Sequence, residues 1–135
     1  MPDVPQVPAG LETFALSDFA DELAVAPENL AVGQNIWFEN ERVRVWWSVI
    51  PPGERVVFHT HTIDYFWVCV GASRAYQRLG DGTAKYIDPH VGQVSFQAYA
   101  EGESLTHDLE NVGDQNLEIV TIELLERAAK DHADE

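Results

Sequence analysis

Two histidines, His59 and His61, stand one residue apart in PPGERVVFHTHTIDY, residues 51–65. In an extended strand, residues i and i+2 point to the same side. The segment is rich in β-formers and follows a Pro-Pro-Gly turn, so both imidazoles are expected side by side on one face. That arrangement is the start of a metal site, and His107 is placed to supply a third nitrogen. Imidazole suits Fe(II), Ni(II), Cu(II), Mn(II) or Zn(II). Three nitrogens on an octahedral metal leave about three positions for a substrate and a co-reactant.

The same alternation sends Tyr65, Trp67 and Cys69 inward with the histidines and Phe66, Val68 and Val70 to the other face. Tyr65 and Trp67 then form an aromatic wall beside the metal, suited to an apolar or aromatic small molecule. Tyr65 is either a fourth ligand as phenolate or a hydrogen-bond donor beside the metal. The donor role is favoured, because an ordinary tyrosine has a pKa of about 10 and stays protonated. Gln97 is assigned to the substrate pocket, with Gln77 as a further polar candidate. Arg42 and Arg44 either clamp a substrate carboxylate from inside or face outward toward acids or a partner, and the outward reading is preferred. Cys69, the one cysteine, reads as a buried and inert thiol. His90, in a turn, and His132, in a charged tail, are left out of the site.

These side chains need a β-scaffold. Residues 1–34 read as an extended, proline-containing arm and a short helix over 17–25, with Ser17 as its N-cap and Pro27 as its stop. From Asn35, short β-like runs alternate with turn-forming stretches: 36–38, 42–50, 55–61, 65–70, 74–79, 84–87, 93–99, 104–110 and 117–125. Gly80-Asp81-Gly82 reads as a hairpin tip. The prediction is an all-β sandwich or barrel over 35–125, with a short helical tail over 126–135.

The 135 residues suit one domain. They carry 23 acidic and 8 basic residues, a formal charge of −15, and residues 1–31 contain no Lys or Arg. Such a surface repels phosphate backbones, which argues against nucleic acid as a partner. No apolar run approaches the roughly 20 residues of a membrane span, and the first ten residues lack the features of a signal peptide. A cytoplasmic protein is expected. Trp37, Trp46 and Trp47 load neighbouring strands with large aromatics, which partner subunits often cover.

The two histidine segments resemble the motifs of the cupin superfamily, specifically the small single-domain, conserved-barrel, RmlC-like type. Gly53, five residues, His59-Thr60-His61 and Gly71 match the first motif; Gly92, His107 and Asn111 match the second. The glutamate ligand of the first motif is replaced here by Tyr65. The resemblance implies a single-domain jelly-roll β-barrel and one divalent metal per subunit held by His59, His61 and His107. Iron is the first choice, with zinc, nickel or manganese as alternatives. It implies a dioxygenase-like enzyme acting on a small organic molecule. The alternatives are an isomerase or lyase that uses the metal as a Lewis acid, and a barrel that binds a ligand without turnover. It also implies a homodimer.

Overall fold

The computed structural model describes residues 10–125. Ten strands alternate along the chain: β1 Leu11–Thr13, β2 Asn35–Glu39, β3 Val43–Ile50, β4 Arg55–His61, β5 Tyr65–Gly71, β6 Ala75–Arg78, β7 Thr83–Ile87, β8 Val94–Gln97, β9 Leu105–Asn111 and β10 Leu117–Leu124. They form two five-stranded sheets, ordered β1-β7-β6-β9-β4 and β2-β3-β10-β5-β8. Every pairing is antiparallel. This is the expected jelly-roll barrel. Its core is Ile50, Ala75 and Leu117, packed by Val56, Ile87, Leu109 and Ile119.

The β-runs read from the sequence fall on β2 to β10, with β4 matched from end to end. The hairpin tip at residues 80–82 is present. Leu79 N–H donates to Thr83 O at 2.8 Å, and Gly82 takes a φ of 92° that a side chain would resist. Three expectations near the N-terminus need correction. β1 is too short to show a period, and the sequence reading missed it. The helical segment is broken into a 3-10 turn at Leu16–Phe19, a helix α1 at Ala20–Val25 and a second 3-10 turn at Ala26–Glu28. Ser17 is no cap, because it lies inside the first turn and no side chain caps either start. Pro27 sits within the second 3-10 turn, where its fixed φ is accommodated. The predicted tail, 126–135, and the first residues of the arm lie outside the described residues.

The N-terminal segment covers the outer side of β4. Phe14 and Phe19 pack on buried Phe58, with ring centroids 6.2 and 5.5 Å away. Along the exposed edge of β4, Thr60 N–H donates to Asn29 O at 2.9 Å and Thr60 Oγ1 to Ala26 O at 2.8 Å. Glu22 accepts from Phe58 N–H at 2.6 Å and from the Arg55 guanidinium. Arg55 and Arg78 both reach fully buried Asp108, at 2.9 and 3.0 Å, and both lie over the Phe19 ring. β4, which carries two of the histidines, is therefore fastened along its edge and its outer face.

Asn111 joins the two histidine segments. Its N–H donates to Glu54 O, and its carbonyl accepts from Gly53 N–H, both at 2.9 Å. Its buried amide donates to Ile50 O and Gln115 O and accepts from Ser73 Oγ and Gly113 N–H. With every polar atom satisfied and the residue fully buried, Asn111 has a structural role.

Candidate metal centre

Register brings the histidines together. β4 pairs with β9 so that His59 lies directly opposite His107, and directly opposed residues share a face. A bulge between Val56 and His59 shifts the register just before the site. His61 follows two residues on, on the same face. One ring nitrogen from each of the three lies within 4.8 Å of the others. The ring centroids are 5.1 Å (His59–His61), 4.6 Å (His59–His107) and 5.0 Å (His61–His107) apart.

Outer hydrogen bonds fix two of the rings. His59 Nδ1 lies 2.8 Å from Val57 O, and His107 Nδ1 lies 2.8 Å from Gln77 Oε1. A carbonyl oxygen only accepts, so Nδ1 carries the proton in both rings and each Nε2 is left with a bare lone pair. That is the arrangement in which protein groups orient metal-bound histidine. His61 Nε2 faces His107 Nε2 at 3.0 Å, and the buried His61 Nδ1 has no partner among the described residues. Two adjacent ligands at right angles around a metal, each at about 2.1 Å, would sit ~3.0 Å apart. The donor set therefore fits one divalent transition-metal ion.

The rings are neutral near pH 7. Burial lowers the pKa of His59, more than the Val57 hydrogen bond and the Asp108 charge raise it. Burial, reinforced by His59, pushes His61 down to about 3. Burial and the two neighbouring imidazoles hold His107 well below its ordinary value. Neutral imidazole is the ligating form, so protons do not compete with a metal here.

Tyr65 stacks on His61, with centroids 4.0 Å apart and planes 14° from parallel. Burial first, then its neighbour Tyr99, raises its hydroxyl far above the usual range, so it is a protonated donor. Asp64 offers no substitute for the missing glutamate. Its Oδ1 accepts from Tyr99 N–H at 2.8 Å, holding the chain after β8, and it is not part of the histidine group.

The histidines open onto a cavity of about 80 Å³ inside the barrel. Tyr65, Trp67 and Gln77 line it beside the site, and Ser48 and Thr121 add hydroxyls. Much of the remaining wall is apolar, including Ile50, Val56, Leu109 and Leu117. Tyr65 and Trp67 thus face inward as alternation predicts. The assignment of Gln97 needs correction. It lies opposite Tyr65 in the sheet, but its Nε2 donates to Ser95 Oγ at 3.2 Å, and the amide lining the cavity is that of Gln77. Sequence alternation gives parity within a strand but not how far along the barrel axis a side chain reaches. Ser48 and Thr121, two small hydroxyls within β3 and β10, carried no signal.

Among the described residues no arginine lines the cavity. Arg44 bonds Glu39, and its Nη1 lies 3.4 Å from buried Glu123. Glu123 also accepts from Trp46 Nε1 at 2.7 Å. Arg44 does pair with acids, but the outward reading needs correction: its opposite residue is buried, inward-facing Glu123, so alternation puts Arg44 on the inner row of β3. Cys69 is fully buried, bonds Gly71 O through Sγ at 3.4 Å, and has its thiol pKa raised by burial. His90 is exposed, and His132 lies outside the described residues.

Solved structures share this architecture. A cupin domain from Bordetella pertussis Tohama I is 24% identical with a TM-score of 0.59, over 67% of this chain and 88% of that one. A double-stranded β-helix protein from Klebsiella pneumoniae is 14% identical with a TM-score of 0.54, over 76% and 85% of the two chains. An RmlC-like cupin family protein from Methanocaldococcus jannaschii is 14% identical with a TM-score of 0.53, over 67% and 76%. No family model matches the sequence, and no curated protein matches it. The fold is that of the cupins.

Proposed function

We propose that this cupin-fold chain is a metal-dependent enzyme acting on a small organic molecule, and that its reaction is of the non-haem Fe(II) dioxygenase type. The observation that carries the reading is the convergence of His59, His61 and His107, with two Nε2 lone pairs set free by Val57 O and Gln77 Oε1. A bound divalent iron would supply open positions for substrate and dioxygen. The residues of the chain do the rest. Gln77 keeps His107 turned toward the site. Tyr65 offers a protonated hydroxyl beside His61. Trp67 and the apolar wall exclude bulk water. The cavity is small and, among the described residues, no guanidinium lines it, which favours a compact and largely apolar substrate.

A second reading draws on the Tyr65 hydroxyl, which stays protonated beside His61 and can donate a hydrogen bond to a bound oxygen without any redox step. In that reading the metal serves only as a Lewis acid, in an isomerase or lyase. Oxygen uptake separates the two. Protein reconstituted anaerobically with Fe(II) is expected to consume dioxygen with at least one member of a panel of β-diketones, thiols and catechols. Metal-loaded protein that converts a substrate with no oxygen uptake would overturn the dioxygenase reading in favour of Lewis-acid chemistry.

A further inference from the structure

The histidines stand on the first sheet, and the second sheet brings two hydroxyls to the same cavity that the metal centre does not use. Thr121, on β10, lines the cavity and is 6% exposed. Among the described residues its hydroxyl has no hydrogen-bond partner. Thr121 pairs with Trp46 on β3 and with Trp67 on β5, so a tryptophan flanks it on either side. Ser48, on β3, lines the same cavity and is equally buried. Its Oγ accepts from Gln34 N–H at 3.0 Å, which leaves its own proton to donate. Ser48 pairs with Ile119, two residues from Thr121, and such diagonal neighbours stand about 7 Å apart. A buried hydroxyl without a partner costs stability. One small polar group lodged against β3 and β10 would satisfy both.

We propose that Thr121 and Ser48 form a second binding station in the cavity and set the substrate class: a short, uncharged aliphatic molecule with a hydroxyl or carbonyl at the end away from the histidines. The proposal rests on the reading of the cavity as a substrate site and deepens it. Charge fixes the neutral end. Among the described residues no Asp, Glu, Lys or Arg lines the cavity, and Arg44, on the inner row of β3, is engaged by Glu39 and Glu123. A carboxylate or ammonium beside Thr121 would be buried without a counter-ion, which is strongly disfavoured. Size fixes the skeleton. The cavity of about 80 Å³ is roughly half the volume that takes up one benzene, so the enclosed part of the ligand is smaller than an aromatic ring. Hydrogen bonding then supplies the discrimination. A site built to bind a hydroxyl rejects an analogue lacking one, because its own polar groups are left unpaired.

Two probes of equal size test it. Hydroxyacetone and butanone differ only in a hydroxyl for a methyl group. Each is titrated into the full chain, Zn(II)-loaded and metal-free, and followed by amide and indole N–H shifts in NMR spectra. The wild type is expected to bind hydroxyacetone about tenfold more tightly than butanone. Thr121→Val keeps the shape, removes the hydroxyl and should abolish that preference, whereas Thr121→Ser should retain it. Ser48→Ala is the second handle if Thr121→Val misfolds. A wild type that binds both probes equally or favours butanone, or a preference that survives in both Thr121→Val and Ser48→Ala, would overturn the proposal. Zinc that leaves both affinities unchanged would count against a metal-held ligand instead, and the ratio between the probes decides the station in either state.

Discussion

His107 is held between two demands. Its Nδ1–H is taken by Gln77 Oε1 at 2.8 Å, and its Nε2 points toward His61. Gln77→Leu keeps the volume and removes the acceptor. The expected result is a 10- to 100-fold loss of metal affinity, the usual cost of removing such a partner, read by competition with a chromophoric chelator. An unchanged affinity would mean that Gln77 does not orient the ring. Tyr65 makes a different prediction. Its ring packs on His61, and its hydroxyl is strongly protonated, so Tyr65→Phe should bind metal with wild-type stoichiometry. Loss of metal in that variant would make the phenol oxygen a ligand. At this scale the sequence was legible where strand alternation governs. The His-x-His pair, Tyr65 and Trp67 lie where period two puts them, and His107 was placed by its motif resemblance. Gln77 was not singled out over Gln97, because choosing between them needs the axial position of each strand in the barrel.

β4 is the element on which the site depends, and it is anchored from outside. Asp108 accepts from Arg55, from the Arg78 side chain and from Arg78 N–H while fully buried. Asp108→Ala would leave two partly buried guanidiniums and a backbone donor without their acceptor. Removing one member of such a buried cluster costs about 3 kcal/mol or more, to be read from the denaturation midpoint of the apoprotein. A cost under about 1 kcal/mol would mean that water replaces the carboxylate. Glu22, on α1, supplies a pH dependence. Burial alone would raise its pKa, but Arg55 and Phe58 N–H outweigh burial and lower it from the ordinary 4.5. The unfolded chain therefore binds the proton first, and stability rises with pH through that window. The Glu22 contribution is complete above about pH 4.5 and is lost as pH falls through the lower folded value. Glu22→Gln is expected to flatten this part of the acid limb in a stability-versus-pH series. A limb with unchanged slope would place the carboxylate outside the network. None of this network was foreseen, because its charges come from four separate segments that only the folded barrel brings together.

For the molecule as a whole, the barrel was readable because turn-forming stretches punctuate β-like runs from Asn35 onward, and because Asn111 and Gly53 belong to matched segments that bond to each other. The N-terminal segment was readable only in outline. Its 3-10 turns follow the shape of the β4 edge and not a helical period, a case of tertiary packing overriding local propensity. Among the described residues no helix is long and apolar enough to cross a membrane. The central claim is that His59, His61 and His107 hold one metal ion, and elemental analysis by mass spectrometry on untagged protein tests it most directly, wild type beside His59→Ala. The account predicts about one equivalent of a divalent transition metal per chain in the wild type and its loss in the folded variant. Wild-type protein that stays metal-free after anaerobic reconstitution would contradict it.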